Sequence, residues 1–138
     1  MTIAEDIIDF LHEEGVGRKR ETLFTSAQQG AYDGRPLAAL IHEARSADAP
    51  DVTVDADKCL VNIEVWGKYG ENGETDAYSF AYRIYSKLRL VLHETINGTE
   101  YLCIQAQNPP SHEGYDDQGR TYYSVVVSIF RVLPSGSD

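Results

Sequence analysis

The stretch Cys59-Leu60-Val61-Asn62-Ile63-Glu64-Val65-Trp66-Gly67 decides the fold, because its apolar and polar side chains alternate. Successive side chains of a β-strand point to opposite faces of the sheet. The alternation therefore predicts a strand over residues 60–66 with one face on the core. The core face holds Val61, Ile63 and Val65, and the opposite face holds Asn62, Glu64 and Trp66.

A glycine-rich break and one amphipathic helix follow this strand. Apolar residues recur three or four positions apart, the period of an α-helix, and Thr75 is a candidate N-cap. We predict a helix from about Thr75 to Leu92. Its core stripe consists of Ala77, Phe80, Ala81, Ile84, Leu88 and Val91. A second stripe, about 110° around the helix, consists of Tyr78, Tyr82, Tyr85 and Arg89.

Two strands complete the chain. Asn97-Gly98 predicts a tight hairpin turn, since both residues tolerate a positive φ. The next strand runs from Thr99 to Gln107, where Pro109-Pro110 ends it. Ser111 to Gly119 is predicted to be a loop, and Arg120 to Val132 is predicted to be the longest strand.

The first helix is predicted over Thr2 to Glu13, because Thr2-x-x-Glu5 forms a capping box. Gly15 is a plausible end of this helix. One face of the helix is apolar, with Ile3, Ile7, Phe10 and Leu11, and the polar side is expected to hold Asp6, Asp9 and Glu13.

The segment between the first helix and the central strand is less regular. Glu21 to Thr25 is compatible with a short strand, and Gln28 to Pro36 with a loop. Leu37 to Ala44 has the alanine content of a helix but the short length of a strand, and we favour a strand. Val52 to Val54 is a candidate edge strand.

These elements predict an α+β fold, in which two main helices pack on a mixed, mostly antiparallel sheet of about four to six strands. The predicted order is α-β-β-β-α-β-β. The length of 138 residues predicts one domain over residues 1–133. Residues 134–138 are expected to form a flexible C-terminal tail.

The composition of the chain argues against nucleic-acid binding, membrane insertion and secretion. Lys and Arg total 12 against 22 Asp and Glu, for a net charge of −10, which repels phosphate backbones. No apolar run approaches the roughly 18 residues of a membrane span. The acidic start, Met1 to Asp6, argues against a signal peptide. Cys59 and Cys103 stand apart among apolar neighbours, as small buried hydrophobes do in a reducing compartment.

The sequence predicts no catalytic, metal-binding or cofactor-binding residues. Its four histidines are scattered, without the spacing of a zinc site. Pro50-Asp51 before Glu64-Val65-Trp66 is similar to the pattern of metal-dependent nucleases. Trp66, however, stands where such an enzyme needs a lysine to steady the attacked phosphate. A nuclease remains the enzyme alternative.

The tyrosine stripe has two possible roles. It can pack on loops or the sheet edge of its own chain, or it can form a subunit interface. Tyr and Arg are enriched at the centres of protein interfaces, and Trp66 is suited either to a second helix or to a neighbouring subunit. The predicted interface residues are Tyr78, Tyr82, Tyr85, Arg89 and Trp66.

Several segments resemble the tail terminator (tail completion, or minor capsid) proteins of long-tailed phages and related archaeal tailed viruses. Val54 to Gly67 resembles their central strand. The tyrosine-rich helix Ala77 to Leu92 and the turn Ile96 to Leu102 resemble theirs, as does the passage from Pro109-Pro110 through an Asp-Gln-Gly loop into Tyr123-Ser124-Val125. The short acidic N-terminal helix also fits.

The resemblance implies a structural protein that forms a ring, commonly a hexamer. The ring caps the completed tail tube, stops its polymerisation and joins the tail to the head or neck. Implied partners are further copies of the chain, the tail tube protein and a neck or connector protein. DNA passes through the hole without being read, and neither a membrane nor a cofactor is involved.

The resemblance also implies a location at the head-proximal end of the tail in the virion, and in the host cytoplasm during assembly. A head–tail connector or neck protein of the same virion is the closest alternative, since it shares a small α+β ring architecture.

A closed ring needs two different patches on each subunit. The tyrosine face of the second helix is our candidate for one patch, and an exposed sheet edge is the candidate for the other. The loop Ser111 to Gly119 is expected to reach a tube or neck protein. Its candidate docking residues are His112, Tyr115, Asp116, Asp117 and Arg120.

Overall fold

The structure is a computed structural model, and it describes residues 2–25, 35–43, 56–67, 73–116 and 119–132. It confirms the α+β class, with the predicted order of elements and two further strands, β4 and β6. The elements are α1 (Ile3–Glu13), β1 (Leu23–Thr25), β2 (Leu37–Glu43), β3 (Ala56–Gly67), α2 (Gly73–Leu88), β4 (Val91–Ile96), β5 (Thr99–Ala106), β6 (Ser111–Tyr115) and β7 (Thr121–Val132).

The strands form one seven-stranded sheet in the order β1-β2-β3-β7-β5-β4, with β6 also paired to β7. β1 and β2 run parallel, and the other described pairs are antiparallel. β5 lies along residues 127–131 of β7, and β6 lies along residues 121–124 of the same edge. Two strands that follow each other in the chain therefore share one long partner.

The core lies between the two helices and one face of the sheet, which we call the core face. Val61, Ile63 and Val65 of β3 have no solvent exposure there, so the predicted alternation of this strand is confirmed. The side of α2 that meets them buries Ala77, Phe80, Ala81, Ile84 and Leu88. Burying each larger side chain of this set contributes about 1.5–3 kcal/mol.

The ends of α1 follow the sequence signals. The Thr2 hydroxyl accepts a hydrogen bond from the Glu5 amide at 3.1 Å, and the Glu5 carboxylate accepts one from the Thr2 amide at 3.0 Å. At the other end Gly15 adopts a φ of +78°, and the Val16 amide donates to the Leu11 carbonyl at 2.9 Å. This is a Schellman motif. The predicted capping box and the predicted helix end are both confirmed.

The helix α2 ends at Leu88, so the predicted end at Leu92 is wrong. Val91 belongs to β4 instead of the core stripe of the helix. The edge of β5 offers unpaired backbone groups, and β4 pairs with it from Val91 opposite Ile104 to Ile96 opposite Thr99. These ladder bonds replace the last helical turn. The predicted tight turn between the two strands is confirmed, with φ of +50° at Asn97 and +81° at Gly98.

The prediction that Asp6 faces away from the core is wrong, because Asp6 is only 1% exposed. The β4–β5 hairpin lies over this part of α1 and supplies its partners. The Asn97 side-chain amide donates to Asp6 Oδ1 at 2.9 Å, and the Tyr101 hydroxyl donates to Asp6 Oδ2. A buried carboxylate is tolerated here because both of its oxygens are hydrogen-bonded.

The predicted loop Ser111 to Gly119 is also wrong over its first half, which forms β6. This segment lacks the apolar alternation of a strand. Residues 111–115 nevertheless form a strand, because β7 has 12 residues and β5 pairs with only residues 127–131 of it. The edge of β7 that β5 leaves unpaired accepts β6. His112 pairs with Tyr123, and Tyr115 pairs with Thr121.

The strand preferred for Leu37 to Ala44 is confirmed as β2, and the possible strand at Glu21 to Thr25 is confirmed as the shorter β1. Val52 to Val54, Pro50-Asp51, most of the loop from Gln28 and the C-terminal tail lie outside the described residues. Neither described helix is long and apolar enough to cross a lipid bilayer.

Candidate interaction surface

A continuous row of rings runs across the helix side of the molecule. We call it the aromatic ridge, and its members in order are Tyr85, Tyr82, Tyr78, Tyr123, His112 and Tyr115. Neighbouring ring centroids along the ridge are between 5.1 and 6.0 Å apart. These separations fall within the range in which aromatic rings attract each other. The ridge joins the predicted tyrosine stripe to two of the predicted docking residues.

Secondary structure positions each ring. Tyr78, Tyr82 and Tyr85 are spaced by four and three residues on α2, so they share one side of the helix. Tyr123 of β7 lies opposite Val65 of β3 and therefore points to the core face. His112 of β6 lies opposite Tyr123 in the sheet and points the same way. The tyrosine stripe of α2 thus continues directly onto the sheet.

The ridge combines a buried anchor with exposed rings. Tyr123 is 7% exposed and belongs to the core, whereas Tyr78, Tyr82 and Tyr115 are 45%, 47% and 65% exposed. Large exposed rings fixed on rigid elements are typical of protein interaction sites. Tyr123 was not among the predicted interface residues, although its alternation with Val125 along β7 places both side chains on the core face.

The β6–β7 turn is held by side-chain bonds. The amide and the guanidinium Nε of Arg120 each donate to the Asp116 carboxylate at 2.8 Å. His112 Nε2 lies 2.9 Å from the Thr121 hydroxyl. Arg120 and Asp116 were predicted as docking residues, but their charges neutralise each other and stabilise the turn. Asp117, the fifth predicted docking residue, lies outside the described part of the chain.

Two predicted interface residues are not part of the ridge. Arg89 is exposed but follows the last residue of α2. Trp66 lies on the opposite face of the sheet, with its ring centroid 6.1 Å from that of Tyr122. It therefore cannot share a flat contact surface with the tyrosine stripe.

A concave region of about 410 Å³ lies between α1 and β4. On its wall Asp9 accepts hydrogen bonds from Lys19 Nζ at 2.7 Å and from the Asn97 amide at 2.8 Å. Burial acts to raise the pKa of Asp9, but these two hydrogen bonds and the positive charge of Lys19 together outweigh it and hold the pKa below its ordinary value. These bonds stabilise the junction between α1 and the hairpin.

Of the residues that suggested a nuclease, Pro50 and Asp51 lie outside the described part of the chain, and Glu64 lies on β3. Glu64 Oε1 lies 3.1 Å from His42 Nε2, on the face of the sheet away from the helices. Among the described residues, no group of three or more His, Cys, Asp or Glu side chains is placed to hold a metal ion.

A scan of the chain against protein-family models finds no match, and a search of curated proteins finds none either.

Proposed function

We propose that this chain is a structural virion protein that caps the completed tail tube as a homo-oligomeric ring. In this role it ends tube polymerisation and joins the tail to the head or neck. The observation that supports the proposal best is the aromatic ridge, in which the rings of Tyr78, Tyr82 and Tyr115 are exposed beside the buried ring of Tyr123. The resemblance of the sequence to tail terminator proteins supplies the kind of assembly.

The ridge has the properties of a contact surface that functions by burial. Tyrosine provides wide apolar area and a polar end, and it loses little side-chain entropy on binding. The rings stand on α2, β6 and β7, and Tyr123 ties them to the core. A rigid surface loses less freedom on association than a mobile loop does, so more of the contact energy is kept.

The sheet offers one open side for contacts. At β1 the chain's own turn occupies the outer edge, since the Leu23 amide donates to the Arg18 carbonyl and the Arg20 amide donates to the Leu23 carbonyl, each at 3.0 Å. At the other end, β4 is the last strand of the order, and β6 pairs with β7. His112 and Tyr115 of β6 belong to the aromatic ridge, so a partner can contact the strand and the ridge together.

The charge of the chain suits a ring around DNA. A net charge of −10 makes the surface repel the phosphate backbone. DNA inside such a ring would slide without sticking, because binding to phosphates depends on clustered Lys and Arg.

The proposal is tested by adding the purified chain to the tail tube protein encoded by the same virus while the tubes polymerise. We expect the chain to bind tube ends and to shorten the tubes in proportion to its concentration. Binding to the head connector alone, with no effect on tubes, would favour the connector alternative. Metal-dependent DNA cleavage that is lost in Asp51→Ala would favour the nuclease.

A further inference from the structure

The turn Asn97-Gly98 carries a pair of residues whose chemistry favours deamidation. The backbone nitrogen that follows an asparagine can attack the carbonyl of its side-chain amide, and a glycine at that place has no side chain to hinder the attack. Both residues are exposed to solvent. A Cβ at Gly98 would meet nothing within 4 Å, so the space around this turn is open.

The side chain of Asn97 is held by two carboxylates of α1. Its Nδ2 donates to Asp6 Oδ1 at 2.9 Å and to Asp9 Oδ2 at 2.8 Å. A side-chain amide nitrogen carries two hydrogens, so two acceptors can engage both of them. We call these two hydrogen bonds the Asn97 clamp. The clamp directs the amide toward the helix, whereas deamidation requires the amide to turn toward the nitrogen of Gly98.

We propose that Asn97 is a deamidation site, that the Asn97 clamp restrains its reaction, and that the product releases the hairpin from α1. In the reaction the backbone nitrogen of Gly98 bonds to Cγ of Asn97, and the bond from Cγ to Nδ2 breaks. Nδ2 leaves as ammonia and takes the proton that the Gly98 nitrogen loses. Water then opens the succinimide ring at either carbonyl, which gives aspartate or isoaspartate. Water is the only co-reactant.

Either product removes the clamp. The new carboxylate has no hydrogen to donate at neutral pH, so Asp6 and Asp9 each lose a donor. It also adds a third negative charge close to two others, and like charges at such distances repel. Lys19 Nζ, 2.7 Å from Asp9, offsets one of the three charges. Isoaspartate further adds one carbon to the main chain between Ile96 and Thr99, which are paired across the turn.

Peptide mapping of the folded and the unfolded chain tests the restraint. Both samples, the unfolded one in guanidinium chloride, are incubated in the same mildly alkaline buffer, and mass spectrometry follows the conversion of the Asn97 amide to an acid. We expect Asn97 to react at least about tenfold more slowly in the folded chain, because a hydrogen bond to a charged group must first be released. Equal rates would overturn the restraint.

Asn108 is an internal control in both samples. It precedes Pro109, whose nitrogen carries no hydrogen and cannot form the same ring. Conversion of Asn108 at the rate of Asn97 would mean direct hydrolysis of side-chain amides and would overturn the proposed route.

Two variants of α1 separate the effect of the clamp from that of folding in general. Asp9→Ala removes one of the two acceptors and should raise the deamidation rate of Asn97 in the folded chain by at least about threefold. Glu13→Ala, at an exposed position of the same helix, should leave the rate as in the wild type. Circular dichroism shows that both variants are folded. An unchanged rate in Asp9→Ala, or an equal increase in Glu13→Ala, would overturn the role of the clamp.

Hydrogen exchange of the deamidated protein tests the release of the hairpin. Anion exchange separates this protein from the unmodified chain by its additional negative charge. We expect the backbone amides of residues 91–96 in β4 to exchange at least about tenfold faster after deamidation, while those of residues 59–66 in β3 keep their protection. Asn97→Asp should reproduce the aspartate product. Unchanged exchange in β4 would overturn the release.

The ring function is not at stake in these experiments, because the clamp lies within one copy of the chain. Rings that form from a protein without a working clamp would leave the proposed function standing. A chain with a working clamp that never binds tube ends would contradict the proposed function alone.

Discussion

The Tyr101 hydroxyl donates a hydrogen bond to Asp6, joining the β4–β5 hairpin to α1 across 95 positions of sequence. Tyr101 has no solvent exposure and Asp6 is 1% exposed. Burial, together with the hydrogen bond and the negative charge of Asp6, raises the pKa of the Tyr101 phenol well above its ordinary value. The phenol therefore stays protonated and keeps donating at alkaline pH values at which an ordinary tyrosine ionises.

Replacing Tyr101 by phenylalanine removes the hydroxyl that donates to the buried Asp6 carboxylate, so Oδ2 of Asp6 loses this hydrogen bond. We expect Tyr101→Phe to lower the free energy of unfolding by about 1–3 kcal/mol. Urea denaturation of dilute, monomeric protein measures the change. Tyr115→Phe also deletes one phenolic hydroxyl, but at an exposed site, and should change the free energy by less than about 0.5 kcal/mol. Equal effects in the two variants would contradict the assigned role of Asp6.

Asp9 makes the free energy of unfolding depend on pH in the acid range. Its pKa is held below the ordinary value of 3.8. The unfolded chain therefore binds this proton more readily than the folded chain does, and stability increases with pH in this range. The contribution of Asp9 is complete above pH 3.8 and is lost as the pH falls through the lowered pKa.

Asp9→Asn should therefore reduce the loss of stability between neutral and acid pH. At neutral pH the variant should lose only about 0.2–1 kcal/mol, since Lys19 is half exposed. Urea midpoints at pH 7 and pH 3 provide the comparison. Glu13→Gln, at an exposed position of the same helix, is the control for the loss of one carboxylate and should change the free energy of unfolding at pH 7 by less than about 0.5 kcal/mol. A variant with Asn at position 9 and an unchanged acid dependence would contradict this assignment.

Two glycines after α1 allow the cost of a left-handed backbone to be measured separately from the cost of steric crowding. Gly15 and Gly17 have φ of +78° and +82°. A Cβ at Gly15 would meet nothing within 4 Å, whereas at Gly17 it would lie 3.0 Å from side-chain carbons of Leu23 and Phe80. Gly15→Ala should cost about 1–2 kcal/mol through the left-handed backbone alone.

Gly17→Ala should cost about 1–3 kcal/mol more than Gly15→Ala, because it also overpacks the core. Thermal unfolding of the two variants, side by side, gives the difference. Similar melting temperatures would show that Leu23 and Phe80 give way without cost.

Elements with a strong local pattern were predictable from sequence. The alternation of β3 and the 3.6-residue period of α2 depend on neighbours in the chain, and both elements form, although α2 ends four residues before its predicted end. The capping box at Thr2 and the turn at Asn97-Gly98 are likewise local. Their side chains bond within a few residues, so a single sequence contains the whole interaction.

Elements that depend on distant partners were not predictable. Ser111 to Tyr115 forms β6 because β7 is long enough to pair with it, which its own composition does not indicate. Val91 fits the apolar stripe of α2 equally well, and only pairing with β5 makes it a strand. The ridge has the same origin, since the register of β6 and β7 brings His112 beside Tyr123.

The predicted interface is tested by a double substitution at Tyr82, which belongs to the ridge, and at Arg89, which follows α2. Tyr82→Ala combined with Arg89→Glu should retain the fold and prevent ring assembly, because truncation of a central interface aromatic typically costs about 2 kcal/mol or more of binding free energy. Light scattering after size exclusion measures the assembly, and circular dichroism measures the fold. Thr95→Ala, an exposed change away from the ridge, should assemble as the wild type does. A double variant that assembles at wild-type concentrations would exclude Tyr82 and Arg89 from the interface.

The most direct measurement of the whole account is electron microscopy of tail tubes grown with and without the purified chain. We predict an annular particle on one end of each tube, and tubes that no longer lengthen when more tube protein is added. Tubes that keep growing with bare ends, at a concentration of the chain above that of tube ends, would contradict the account.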